Sequence, residues 1–125
     1  MIDGFIDLYK EPGFTSHDCV AKLRGILKQK KIGHAGTLDP SAKGVLPVAL
    51  GRATRLIELF DEETKSYEAV MLLGVKTDTL DTDGAVLCER PVDVTKDRVK
   101  DVLMSFKGEI SQTPPMYSAV KVGGK

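Results

Sequence analysis

The stretch from Gly33 to Pro47, GHAGTLDPSAKGVLP, constrains this chain more than any other feature. Glycine and proline recur through it too often for a helix or a strand to persist, so regular structure is expected on either side. Upstream, Phe5 to Tyr9 alternates as a short strand does, and Lys10-Glu11-Pro12-Gly13 reads as a turn. Ser16 is placed as a helix N-cap with Asp18 in the first turn. Val20, Leu23, Ile26 and Leu27 follow at helical spacing and predict a helix from about Ser16 to Gln29. Arg24, Lys28 and Lys31 recur at i, i+4 and i+7, which puts them on another face of that helix, open to phosphate. Downstream, a second short helix is expected near Thr54 to Phe60, with Leu56, Ile57 and Phe60 inward.

Further along, Tyr67 to Leu73 (YEAVMLL) is nearly continuous in apolar residues, the pattern of a strand interior to a sheet. A loop ending in the hairpin-turn pair Asp83-Gly84 leads to a strand around Ala85 to Cys88. Thr95 is placed as the cap of a helix whose apolar face is Val99, Val102, Leu103 and Phe106, closed by Gly108. The final stretch from Ser111 is extended and ends as a strand. No repeat or internal boundary is visible. The expected architecture is one domain of mixed α/β (α+β) class, a largely antiparallel or mixed sheet flanked by helices.

The 125 residues carry 18 bases and 18 acids, and that balance alone speaks against a strong nucleic-acid binder. The distribution is uneven, however. From Val20 to Arg55 eight bases accompany one acid, Asp39, so a segment of +7 sits in a remainder of −7. Segregation of this kind can build a positive surface for phosphates, although a solvated basic helix face accounts for it equally well. No apolar run approaches the roughly 18 residues that a membrane helix needs. The opening residues lack the basic-then-apolar order of a secretory signal. Cys19 and Cys88 stand far apart within periodic segments, as buried reduced thiols do, and a cytoplasmic location is expected.

Several chemistries fail on spacing. A calcium loop aligned on Gly84 begins at Thr79 and ends at Arg90, where a bidentate Glu is required. His17, His34, Cys19 and Cys88 form no adjacent ligand pair for zinc. Gly33, Gly36 and Gly44 match neither phosphate-binding spacing. Asp39 is what remains. Pro40 biases it toward extended geometry, the nearby glycines allow close approach of a ligand, and the surrounding cations would hold it ionised. A carboxylate so placed can act as a nucleophile. A loop aspartate that caps the next turn with its own side chain fits the same residues and is the commoner case.

The run Gly33-His34-Ala35-Gly36-Thr37-Leu38-Asp39-Pro40, continued by Ala42 and Gly44-Val45-Leu46-Pro47, resembles the catalytic motif of the TruB family, enzymes that make pseudouridine-55 in the T-loop of tRNA. Three further blocks resemble the family in the same order. The first is Lys10 with Gly13 and Thr15-Ser16-His17-Asp18; the second is Lys65 and Tyr67 with Leu73-Gly74, Thr77, Thr79 and Asp81; the third is Pro114-Pro115 with Tyr117-Ser118-Ala119 and Lys121. The resemblance implies part of a pseudouridine synthase catalytic domain, with Asp39 as the essential carboxylate. It implies that Tyr67 stacks on the target uracil and takes the proton from C5, that His34 helps hold the rearranged T-loop, and that Lys10 lies near the active site. Gly36, Thr37 and Leu38 beside the aspartate, and the basic Arg24, Lys28 and Lys31, are the implied RNA contacts. The implied partner is tRNA, with no cofactor, metal or membrane, and a monomer is expected for the full-length form.

Glu11 departs from the Lys-Pro-x-Gly opening more usual in the family, and Cys19 stands where Val is usual. Family members continue well beyond Lys125, through further catalytic-domain strands, an arginine that pairs with the aspartate, and a C-terminal PUA domain. Residues 1–125 alone are therefore expected to be inactive and marginally stable. A different class of reading is a non-catalytic RNA-binding or tRNA-chaperone module, in which the basic residues act and Asp39 is structural. A small hydrolase built on Asp39 lacks a partner acid nearby in sequence.

Overall fold

The computed structural model describes residues 1–60 and 64–116. The chain falls into two compact units, Met1–Tyr67 and Glu68–Lys125, where the sequence showed no internal boundary.

In the first unit, strand β1 (Gly4–Lys10), helix α1 (Ser16–Leu27) and strands β2 (Ile32–His34) and β3 (Gly44–Leu50) precede a 3₁₀ helix over Gly51–Phe60. β3 is the centre of an antiparallel sheet ordered β1-β3-β2, with Leu8 opposite Leu46 and Ile32 opposite Leu50. Strands thus take up both ends of the Gly/Pro-rich stretch expected to be irregular throughout. Ladder bonds to β1 and β2 outweigh its weak strand propensity, and only residues 35–43 remain a loop.

Pro47 sits in a central strand because of where its missing N–H would point. Its carbonyl accepts from Ala35 N at 2.9 Å, just past the end of β2. Residue 47 therefore turns its polar edge toward β2, while Leu46 and Val48 turn theirs toward β1. The β1 ladder loses nothing, and β2 stops at His34.

Alternation along β1 puts Ile6, Leu8 and Lys10 on one face and Phe5, Asp7 and Tyr9 on the other. α1 covers the first face, where Cys19 and Val20 pack with Ile32, Leu46, Val48 and Leu50. Full burial of one such aliphatic side chain stabilises by about 1.5–3 kcal/mol. The 3₁₀ helix covers only the Phe5 end of the second face, and Asp7 and Tyr9 stay exposed. Phe60 meets Phe5 with ring centroids 5.1 Å apart, and Ile57 lies so close over Gly33 that a Cβ there would stand 2.8 Å from Ile57 Cδ1. Gly51 and Ala53 are buried, and Thr54, Ile57 and Phe60 follow half-buried at one residue in three, so Leu56 is exposed where a 3.6-residue period had put it inside.

The cap of α1 is Thr15, not Ser16. The Thr15 hydroxyl accepts from Asp18 N at 3.0 Å and the Asp18 carboxylate accepts from Thr15 N at 2.9 Å, a reciprocal capping box. The Thr15 side chain, then its backbone N–H, holds the Asp18 carboxyl below the ordinary aspartate value. The helix ends earlier than expected, because Lys28 turns left-handed at φ 52. Gln29 is buried outside it and binds Ile2 as a neighbouring strand would, accepting from Ile2 N at 2.7 Å and donating to Ile2 O at 2.9 Å.

In the second unit, β4 (Val75–Thr77) and β5 (Val86–Glu89) form an antiparallel hairpin with an irregularity between Lys76 and Thr77. Its loop is closed from within. Asp78 accepts from Ala85 N at 2.8 Å, and Asp81 accepts from the Thr79 hydroxyl and from Asp83 N, which together hold the Asp81 carboxyl below its ordinary value. Helix α2 (Lys96–Met104) is capped by Thr95 as expected, but it closes at Ser105 rather than at Gly108. Its apolar residues Val102, Leu103 and Met104 are exposed, as is Phe106.

Residues 67–73 form no strand, contrary to expectation. Val70, Met71 and Leu72 are exposed, and no strand among the described residues pairs with them. An apolar run becomes an interior strand only when partners satisfy its backbone on both edges. Residues 111–116 are irregular, and the strand expected after them lies outside the described residues. Cys19 is buried and Cys88 only half-buried; both are free thiols.

Candidate active-site loop

The chain leaves β2 at His34 and enters β3 at Gly44, and the loop between carries Gly36, Thr37, Leu38 and Asp39. Gly36 makes the first bend with φ 70, a conformation that favours glycine. Across that bend His34 Nδ1 lies in hydrogen-bond contact with the Gly36 carbonyl. A carbonyl only accepts, so Nδ1 carries the proton and orients the ring.

Asp39 opens a tight turn, its carbonyl accepting from Ala42 N at 3.0 Å with Pro40 in the second position, where a fixed φ suits the bend. Backbone closes this turn, not the aspartate side chain as the capping reading requires. The Asp39 side chain is exposed, and no hydrogen bond or ion pair engages it among the described residues. None of the neighbouring cations pairs with it at salt-bridge distance among the described residues. Arg52 instead pairs with Asp3 at 2.7 Å, where the Arg52 backbone N–H and then its guanidinium lower the Asp3 carboxyl.

The loop is held from beneath. Lys10 ends β1 on the core-facing side and is wholly buried. Its Nζ donates to Phe14 O at 2.6 Å, Glu11 O at 3.0 Å and Pro40 O at 3.2 Å. An ammonium has three protons, and all three are used. Without such partners a buried cation is strongly destabilising. Gly13 N adds a second bond to Pro40 O at 2.8 Å. On the other side of Asp39, the Ser16 hydroxyl accepts from Leu38 N at 3.0 Å and donates to Leu38 O at 3.3 Å. The residues before and after Asp39 are thus tied to the β1–α1 connection and the start of α1, while nothing among the described residues engages its carboxylate.

The other expected site residues are less concentrated. Tyr67 is 70% exposed, so its ring is not committed to the core. Thr37 is exposed, and Leu38 packs at the margin of the α1 core. Arg24, Lys28 and Lys31 do not share a helix face, because the left-handed Lys28 ends the helix and Lys31 lies beyond it. All three are exposed, and Arg24 also donates to Ile32 O at 2.9 Å. Sequence reasoning missed the part of Ser16, because Thr15 and Ser16 are both good cap formers and stand side by side. It also missed the approach of Lys65, whose Nζ lies 3.7 Å from where a Cβ on Gly36 would be. Among the described residues no helix is long and apolar enough to cross a membrane, and no cluster of three or more His, Cys, Asp or Glu could hold a metal.

Fold and loop together define a class: a mixed α/β domain that presents a single carboxylate on a backbone-clamped turn. Comparison with known proteins makes the assignment specific. The family model described as TruB family pseudouridylate synthase (N terminal domain) matches residues 24–125. The chain belongs to that family. It is 52% identical to tRNA pseudouridine synthase B of Lactococcus lactis subsp. lactis, covering 99% of this chain and 38% of that protein. With the enzymes of the same name from Geobacillus kaustophilus and Streptococcus agalactiae serotype III the identity is 54% and 55%, over 99% and 100% of this chain and 44% of each relative. The chain thus spans roughly two fifths of the length of the curated relatives it matches. Among solved structures it resembles a chain of a Cbf5-Nop10-Gar1 complex, with TM-score 0.64 and 38% identity over 94% of this chain and 31% of that one. A chain of an H/ACA RNP bound to a substrate RNA containing 2'-deoxyuridine gives TM-score 0.60 at 36% identity, over 87% of this chain and 29% of that one. The mixed α/β class and the family expected from the motifs both stand.

Proposed function

We propose that this chain is the N-terminal part of the catalytic domain of a tRNA pseudouridine synthase that isomerises uridine 55 of the T-loop, with Asp39 as its working carboxylate. One observation carries the reading: the only acid of the basic segment has a fixed backbone and a side chain that nothing among the described residues engages. In the reaction the C1′–N1 bond breaks, the base turns, and C5 joins C1′ while C5 gives up its proton and N1 gains one. Nothing is oxidised, so no redox cofactor is called for, and no step requires a metal. Asp39 can serve by adding to the base, by attacking C1′ or by removing the C2′ proton.

The target base must leave its stack at a cost of a few kcal/mol. An exposed aromatic face such as Tyr67 returns roughly 1–3 kcal/mol by stacking and lies in the right sequence context to take the C5 proton. His34, Gly36, Thr37 and Leu38 serve as loop contacts, with Lys28 and Lys31 on phosphates. The whole protein acts as a monomer in the cytoplasm, where the free thiols Cys19 and Cys88 stay reduced. Without the remaining catalytic-domain strands, residues 1–125 do not turn over.

The test is tritium release from tRNA labelled at uridine C5, comparing the protein at full family length, its Asp39→Asn variant and the 1–125 piece. Release by the full-length wild type alone supports the proposal. Intact tRNA binding without release by the wild type points instead to a non-catalytic RNA-binding module.

A further inference from the structure

We infer that Ser16 is a positioning residue for Asp39, acting through the backbone of Leu38; the inference rests on the function proposed above. Ser16 is the first residue of α1 and only 2% exposed, yet it does not cap the helix, because Thr15 and Asp18 close the capping box without it. Its hydroxyl is left to a single backbone residue, Leu38, and engages both polar atoms of that residue. Leu38 N belongs to the peptide plane before Leu38, and Leu38 O to the plane that enters Asp39. One side chain therefore fixes two consecutive peptide planes leading into the carboxylate-bearing residue.

The exit is fixed separately. Pro40 has a locked φ, and its carbonyl takes Gly13 N and Lys10 Nζ. Asp39 has no side-chain tether of its own among the described residues, so its orientation is set through its backbone neighbours. Lys10 sets the exit and Ser16 the approach. The sequence offers no replacement for the Ser16 hydroxyl, because the adjacent Thr15 hydroxyl is occupied by Asp18 N.

The experiment uses the full-length protein with Ser16→Ala and Ser16→Thr. It measures single-turnover isomerisation, affinity for a T-stem-loop RNA, and amide hydrogen exchange at Leu38 and at the β3 residues Leu46 and Val48. Ser16→Ala is expected to leave RNA affinity within threefold of wild type. It should slow the single-turnover rate on the order of 100-fold, the scale of a misplacement near 1 Å. Leu38 exchange should rise at least tenfold with Leu46 and Val48 unchanged, and Ser16→Thr, which keeps the hydroxyl, should recover most of the rate. The inference is overturned if the Ser16→Ala rate stays within threefold of wild type, or if Leu38 keeps its protection. It is overturned equally if Leu46 and Val48 lose protection together with Leu38, for then Ser16 is general packing. An inactive wild type defeats the proposed function instead, and the exchange pattern alone then decides whether Ser16 holds Leu38.

Discussion

Lys10 Nζ and the Pro40 carbonyl, 30 residues apart in sequence, meet at 3.2 Å in a site where the lysine side chain has no solvent exposure. The contact joins the end of β1 to the residue after Asp39, so the position of the carboxylate is written into the sheet. No carboxylate balances this cation among the described residues. Carbonyl dipoles do the work, which ties its satisfaction to one backbone geometry.

Lys10→Met removes those three donors at once. The variant should lose about 2–4 kcal/mol of stability, the sum of lost charge-assisted bonds and a desolvated carbonyl. Lys10→Arg should not restore it, because a planar guanidinium fork cannot aim at three converging carbonyls. Equilibrium urea unfolding of the full-length protein checks both, and recovery by arginine would show that charge alone matters here.

Gly51 joins β3 to the 3₁₀ helix with φ 57, and a Cβ there would stand 2.6 Å from Ile2 O and closer still to the Asp3 carboxylate. Backbone is on one side and an ion-paired side chain on the other, so neither can move aside. Gly51→Ala should cost roughly 2–4 kcal/mol from strain and overpacking together. Gly13→Ala, with φ 90 but nothing within 4 Å, should show only the strain part. Thermal unfolding of the two variants side by side separates the contributions.

The capping box makes one contribution to stability depend on acid. The Asp18 carboxyl titrates below its ordinary value in the folded state, through the Thr15 side chain and backbone. Its contribution is therefore complete above the unfolded aspartate value, roughly pH 4, and is lost as pH falls through the lower folded value. The wild type should exceed Asp18→Asn in melting temperature by a constant margin from pH 5 to 8, and the two should converge below about pH 4. A margin that persists undiminished at pH 2 would assign the effect to helix packing.

Arg24 and Lys31 lie in the same basic segment but should behave differently. Arg24 donates to Ile32 O, so Arg24→Ala should cost about 1 kcal/mol of stability and leave the salt dependence of RNA binding nearly unchanged. Lys31 is exposed, and Lys31→Ala should weaken binding to all RNAs alike and reduce the salt slope by about 1. Affinities measured across a salt series distinguish them.

Where local chemistry decides structure, the sequence was legible. β1 followed from alternation, α1 from its apolar spacing, and the α2 cap from Thr95. Asp39 stood out as the lone acid among bases, although none of them forms an ion pair with it among the described residues. Long-range pairing was not legible. Strand character at His34 depends on its pairing with β3, and that at Gly44–Leu50 on pairing with β1 and β2, not on propensity, and the buried state of Lys10 depends on a carbonyl 30 residues away. Residues 67–73 failed in the opposite direction, having a strand composition without a ladder to join.

Pro47 bears on the loop as well as on the sheet. Ala35 can donate to residue 47, but residue 47 has no hydrogen to give back, so the β2–β3 zipper cannot advance past that half-made pair. Were it to advance, each added pair would draw Gly36 and then Thr37 into the sheet and shorten the span that carries Asp39. A pyrrolidine ring thus limits how far the sheet takes up the loop, and with it the length of chain left to carry Asp39.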